Sequence, residues 1–149
     1  MGIMLEQQLQ EIIHQDIPLT RAMGLKVKEI TADSVSLMAP IEQNVNHQHT
    51  AFGGSLFSLA VLSGWCLLLT QLESKGLDGN IVIQDSEIKY LLPVSGDIVA
   101  HCQITNSNQL NRFFKMYQRK GMARIRLEVK IMMDEAVAVQ FSGNYVVNS

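Results

Sequence analysis

Charge is scarce in this sequence. Asp, Glu, Lys and Arg make up 17% of the 149 residues, against 47% hydrophobic, where an average chain carries about 25% charged. That profile excludes a disordered tail and a coiled coil, which depend on abundant charge. Proline is scarce as well, with three, and the ten glycines follow no period, which excludes a collagen-like chain. Cysteine occurs twice, as Cys66 and Cys102, each inside an apolar stretch, so no disulfide framework is expected. None is needed, since a chain of this length buries about 68–70% of the surface its unfolded form exposes. Length predicts one domain over residues 1–149. An excess of basic residues is also missing: 12 basic against 14 acidic leave a net charge of −2, unlike the strongly basic profile of a nucleic-acid binder. The first 17 residues lack the cationic start and apolar stretch of a secretory signal and carry Glu6, Glu11 and Asp16 instead. Glu6 also stands where N-myristoylation needs Ser or Thr. The expectation is a reduced, cytoplasmic globular protein.

One long uncharged run is present. Between Glu42 and Glu73 lie 30 residues without a charge, and Ala51 to Leu72 is mostly apolar. Length alone fits a transmembrane helix. Against it, Gly53, Gly54, Ser55, Ser58, Ser63, Gly64, Thr70 and Gln71 dilute the run, and neither flank carries a basic cluster. A helix apolar all round is either a span or a buried core element, and the strands that follow need a helix to cover them. The buried helix is the expected outcome.

Periodicity places the other elements. Leu5, Leu9, Ile12 and Ile13 have helical spacing and end at Pro18. Leu25–Ile30 and Ser34–Ile41 read as a strand pair around Thr31-Ala32-Asp33. Asn44–Ala51 is a polar loop, and the long helix runs from about Gly54 to Ser74, with Gly76 and Asp78-Gly79 as its stop. Asn80–Leu92 reads as a strand whose alternation breaks near Asp85, and Ile98, Ala100, Cys102 and Ile104 mark the next one. Asn106–Met122 shows no clear period and reads as irregular with room for a short helix. Ile125 to Met133 and Val137 to Val147 alternate strictly around the turn Asp134-Glu135. Helix, two strands, one buried helix and four strands predict an α+β fold in two layers, with a curved antiparallel sheet wrapped around one long central helix.

The segments NHQHTAFGGSLFSLA (Asn46–Ala60) and IKYLLPVSGDIVAHCQI (Ile88–Ile104) resemble the hotdog-fold acyl-CoA thioesterases. The likeness is closest to the YiiD-type thioesterase domain that often sits C-terminal to an acetyltransferase domain, and it runs over nearly the whole chain. With 149 residues, no acetyltransferase domain is expected beside it. The resemblance implies a homodimer or dimer of dimers, paired through Ile81–Leu92. It implies an acyl-CoA or acyl-carrier thioester substrate, bound at that interface near the start of the central helix, with no metal or organic cofactor.

Thioester hydrolysis needs a polarised carbonyl and a delivered water. Free N–H groups at a helix start polarise a carbonyl, and Gly53, Gly54 and Ser55 stand there. The competing reading of the glycines is a tight turn into a crowded helix. In one large hotdog branch the loop Asn precedes a His-Gly-Gly, and an Asp follows that His by nine residues on the helix. Here Asn46 matches the Asn, but Phe52 stands at the His position and Val61 at the Asp position. The departure removes that mechanism's helix carboxylate and leaves three candidates. Asp85 is a mid-strand carboxylate, either paired structurally or poised as a base. His49 is a loop imidazole suited to proton transfer, or a solvated loop residue. Asn46 orients water or caps a turn. A non-catalytic acyl-thioester binder on the same fold is the alternative that Val61 motivates. His47 and His49 are one residue apart, but no Glu follows them, so no metal site is expected. Six of the twelve basic residues (Arg112, Lys115, Arg119, Lys120, Arg124 and Arg126) fall within fifteen positions, and no acid occurs from Ile98 to Leu127. Arg112, Lys115 and Arg119 suit the phosphates of coenzyme A, against the reading of a solvated face.

Overall fold

The computed structural model describes residues 4–149. Its elements are α1 (Glu6–Asp16), α2 (Leu19–Met23), β1 (Lys26–Ile30), β2 (Ser34–Ala39), α3 (Gly53–Ser74), β3 (Asn80–Tyr90), β4 (Ile98–Gln103), α4 (Ser107–Lys120), β5 (Met122–Met133) and β6 (Ala136–Asn148). The six strands form one antiparallel sheet in the order β1-β2-β4-β5-β6-β3. The sheet curves around α3, which packs against β2 through β6. This is the hotdog architecture.

Helix α3 is the core. Leu59, Ala60, Cys66, Leu67 and Leu68 are fully buried in it, against Leu37, Ile98, Ala100, Val129 and Phe141 of the sheet. Its length and composition would suffice to cross a membrane, yet 67% of its most apolar stretch lies inside the protein. The polar residues that dilute the run are satisfied locally. Ser63 Oγ donates to the Leu59 carbonyl and Thr70 Oγ1 to the Leu67 carbonyl, both at 2.8 Å, while Gln71 Nε2 reaches the Ala32 carbonyl at 2.9 Å. Gly64 answers to a different demand. The phenol of Tyr145 crosses α3 at this point, donating to the Val61 carbonyl at 2.7 Å, and a Cβ at Gly64 would overlap its ring and hydroxyl.

The segment Asn106–Met122 differs from expectation. It is not irregular but holds the 14-residue helix α4, so the four strands are not consecutive. Phe113, Phe114 and Tyr117 recur at helical spacing and are buried. Both ends carry stop signals: Asn106 Oδ1 accepts the Gln109 N–H at 3.1 Å, and Gly121 ends the helix at φ 72°. The interleaved cations hid this period. Smaller differences are the short helix α2, the end of β2 at Ala39 rather than Ile41, where a 3-10 turn begins, and the end of β3 at Tyr90 rather than Leu92.

Cys66 and Cys102 are both free and fully buried. Burial pushes the Cys102 thiol up to about 12, and burial, with Cys102 nearby, raises the Cys66 thiol well above its usual range. An unfolded chain releases these protons near pH 8.5. The thiols' contribution to stability is therefore complete below that pH and is lost as pH rises toward about 12. Thermal unfolding midpoints are expected to fall steadily above about pH 8.5. Both thiols should stay inert to an aromatic disulfide reagent until the chain unfolds; prompt reaction of either in native protein would contradict the burial.

Candidate active site at the start of the central helix

The loop that enters α3 is organised by one side chain. Asn46 Oδ1 accepts the N–H of Gln48 at 2.8 Å and of Thr50 at 3.2 Å, and its Nδ2 donates to Thr50 Oγ1 at 2.9 Å. The Asn46 amide is thereby used up in holding the loop. The loop closes on itself, with Asn46 N–H on the Thr50 carbonyl at 2.8 Å and His49 N–H on the Asn46 carbonyl at 3.2 Å. His49 sits at the tip with φ 64°, a left-handed backbone that a non-glycine residue holds only where its surroundings impose it. Its imidazole is exposed and has no hydrogen-bond partner among the described residues.

Asn44 anchors this loop to the body, a role the sequence did not single out. It is buried, and its Nδ2 donates to the carbonyls of Met23 at 2.9 Å and Pro40 at 2.7 Å. Its own backbone carbonyl takes the Phe52 N–H at 2.7 Å, which fixes the residue preceding α3.

Phe52 has no side-chain oxygen to cap the helix. The amides of Ser55 and Leu56 turn back to the Phe52 carbonyl, both at 3.0 Å, whereas those of Gly53 and Gly54 find no acceptor among the described residues. Two amides at the positive end of a 22-residue helix are thus open to an incoming negative charge. The Phe52 ring folds over Gly54, where a Cβ would collide with it. Tyr90, at the end of β3, lies against Gly53 and donates its hydroxyl to the Gly53 carbonyl at 3.0 Å. The spacing of these residues gave no hint of this neighbour, because strand pairing 37 residues away delivers it.

Asp85 stands elsewhere. Strand β3 shifts register against β6 between Ile83 and Asp85, as the broken alternation indicates. Past this bulge Ile88 pairs with buried Phe141 on the α3 side, and Asp85 pairs with Asn144 on the outer face. There the Asn144 Nδ2 donates to Asp85 Oδ1 at 2.6 Å. The structure brings Tyr90 to Gly53 at the helix start, and the loop held by Asn46, with His49 at its tip, leads along the chain into Gly53, Gly54 and Ser55. It does not bring Asp85 to them. Arg112, Lys115 and Arg119 lie on the exposed side of α4, whose Phe114 packs under the Lys75 ammonium, 5.5 Å away, just past the end of α3. A 22-residue helix is about 33 Å long, so these cations and the glycine pair stand at opposite ends of α3 in the same chain. No cluster of three or more metal-ligating side chains occurs among the described residues.

A helix wrapped by a curved antiparallel sheet, with open amides at the helix start, defines a protein of the hotdog fold. The chain belongs to the family described as "putative thioesterase (yiiD_Cterm)", whose model matches residues 6–149. Solved structures agree. A protein of unknown function from Chlorobaculum tepidum is 32% identical with a TM-score of 0.90, covering 97% of this chain and 94% of that one. A putative thioesterase from Shewanella oneidensis is 29% identical with a TM-score of 0.84, covering 97% of both chains. A probable thioesterase from Pseudomonas aeruginosa, at 21% identity, TM-score 0.84 and coverage of 99% and 97%, shares the fold.

Proposed function

We propose that this protein hydrolyses an acyl-CoA or acyl-carrier thioester as a homodimer. The observation that carries the reading is the pair of unoccupied amides at Gly53 and Gly54, at the start of a helix that the His49 loop leads into. The thioester carbonyl oxygen accepts from the two amides, which stabilise the charge that develops as water adds. His49 removes the proton from that water and returns it to the departing thiolate. Asn46 and Asn44 act by holding the loop, and Tyr90 by pinning the first turn of α3. No helix carboxylate takes part, since Val61 stands at its position.

Two incompletely covered features support the dimer. Among the described residues strand β3 pairs only with β6, so its other edge is open there, with Val82 51% and Tyr90 52% exposed. A long open edge calls for a partner. Phe57, Val61, Trp65 and Leu69 form a partly exposed apolar stripe along α3, which a second copy would cover. Two β3 edges pairing antiparallel about a two-fold axis place the Tyr90 end of one strand beside the Asn80 end of the other. In this dimer the α4 helix of one copy approaches the glycine pair of its partner, because Tyr117 ties α4 to the Asp78 carbonyl at 2.6 Å, just before β3.

The test joins assembly to chemistry. Light scattering at micromolar concentration is expected to give twice or four times the chain mass, and free thiol should appear from an acyl-CoA at a rate that chelator leaves unchanged. A monomer mass would overturn the interfacial site. Binding without thiol release, for acyl chains from short to long, would establish the alternative reading that Val61 motivates, a non-catalytic acyl-thioester binder.

A further inference from the structure

The cations of α4 extend beyond what the phosphates of one small molecule would occupy. From Arg112 to Lys120 they run about 12 Å along the helix, and they continue onto β5 at Arg124 and Arg126. Half of the chain's basic residues lie in this stretch without one acid, on a protein of net charge −2, and Glu128 bounds the patch where β5 continues past Arg126. Methionine is set among them: Met116 is 45% and Met122 49% exposed. Arg112, Met116, Met122 and Arg124 together line a groove of about 500 Å³ between α4 and the start of β5. Pliant methionines ringed by cations fit a protein surface that is acidic and carries a few apolar side chains, such as one face of an acidic helix.

We infer that α4 and the start of β5 form the docking surface for an acidic carrier protein that presents the acyl thioester on a flexible arm. The inference rests on the thioesterase reading and refines it by naming the carrier. In the β3-paired dimer a carrier seated on α4 of one copy stands beside the Gly53 end of the other, where the thioester is needed. Charge complementarity speeds the encounter, and the methionines supply the dry centre of the contact.

The experiment compares two substrates with the same octanoyl group, one on an acidic acyl-carrier protein and one on CoA. The triple variant Met116→Glu, Met122→Glu, Arg124→Glu changes the groove without touching the glycine pair or its loop. Its kcat/KM on the carrier thioester is expected to fall at least about 30-fold, through KM, while kcat at saturating octanoyl-CoA stays within about twofold and so reports an intact fold. Fluorescence anisotropy of the labelled carrier should show binding by the unaltered protein that weakens in about 0.5 M salt and in the variant. An equal loss on both substrates, or a carrier rate unmoved by the variant, would overturn the inference. If the unaltered protein cleaves neither substrate, the thioesterase reading fails, and anisotropy still decides the docking. Carrier binding lost in the variant supports the docking; no binding, or binding the variant leaves intact, refutes it.

Discussion

Replacing His49 with alanine is expected to lower kcat on an acyl-CoA by about 10²-fold, the usual cost of losing a general base. Asp85→Asn should by contrast change kcat by less than about threefold. The sequence pattern favours the opposite ranking, because Asp85 is a mid-strand carboxylate between apolar Ile83 and Ile88 where the alternation breaks. Two observations motivate the ranking proposed here. The bulge between Ile83 and Asp85 turns Asp85 to the outer face of the sheet, where Asn144 holds it at 2.6 Å. His49 is presented at the tip of the loop that leads into Gly53, in a left-handed backbone that Asn46 maintains. Asn46→Ala should fall between the two variants, because it loosens the loop without removing the imidazole. Steady-state thiol release from the three variants decides the matter. If Asp85→Asn abolished turnover and His49→Ala retained it, the water would be activated from the outer face and His49 would not be the base.

Gly64→Ala is the substitution expected to cost most in stability. Its single methyl would enter the space held by the Tyr145 phenol, which is buried and anchored to the Val61 carbonyl. Neither side can yield easily. Gly64 is in the middle of α3, and Tyr145 is paired on both sides, with Ile83 of β3 and Ile125 of β5. Overpacking of a dense core costs about 1–3 kcal/mol, and a clash with an anchored aromatic ring belongs at the upper end. For a chain of this size that lowers Tm by roughly 6–12 °C. Differential scanning calorimetry of the variant checks it, and an unchanged Tm would mean that the helix and the ring are free to separate. Gly54→Ala serves as the comparison. There the obstacle is the Phe52 ring, 56% exposed and free to swing away, so Tm should move by less than a third as much.

The family and most of the architecture were legible in the residues themselves. Alternation at Ile125–Met133 and Val137–Val147 marks one buried face, because neighbouring strand residues point to opposite sides and the apolar ones leave water. The 30-residue uncharged run marks the core helix for the same reason. Helix α4 carried its signals too, in Asn106, Gly121 and the spacing of Phe113, Phe114 and Tyr117, although interleaved cations obscured them. The site was legible only in part. Gly53, Gly54, Asn46 and His49 lie close along the chain, so a local motif can gather them. The neighbours of Gly53 and Asp85 depend instead on which strands pair and in what register. A one-residue bulge sends Asp85 to the outer face and keeps Tyr90 on the inner one, beside Gly53. Local periodicity encodes which residues leave water; only the assembled sheet decides which of them meet.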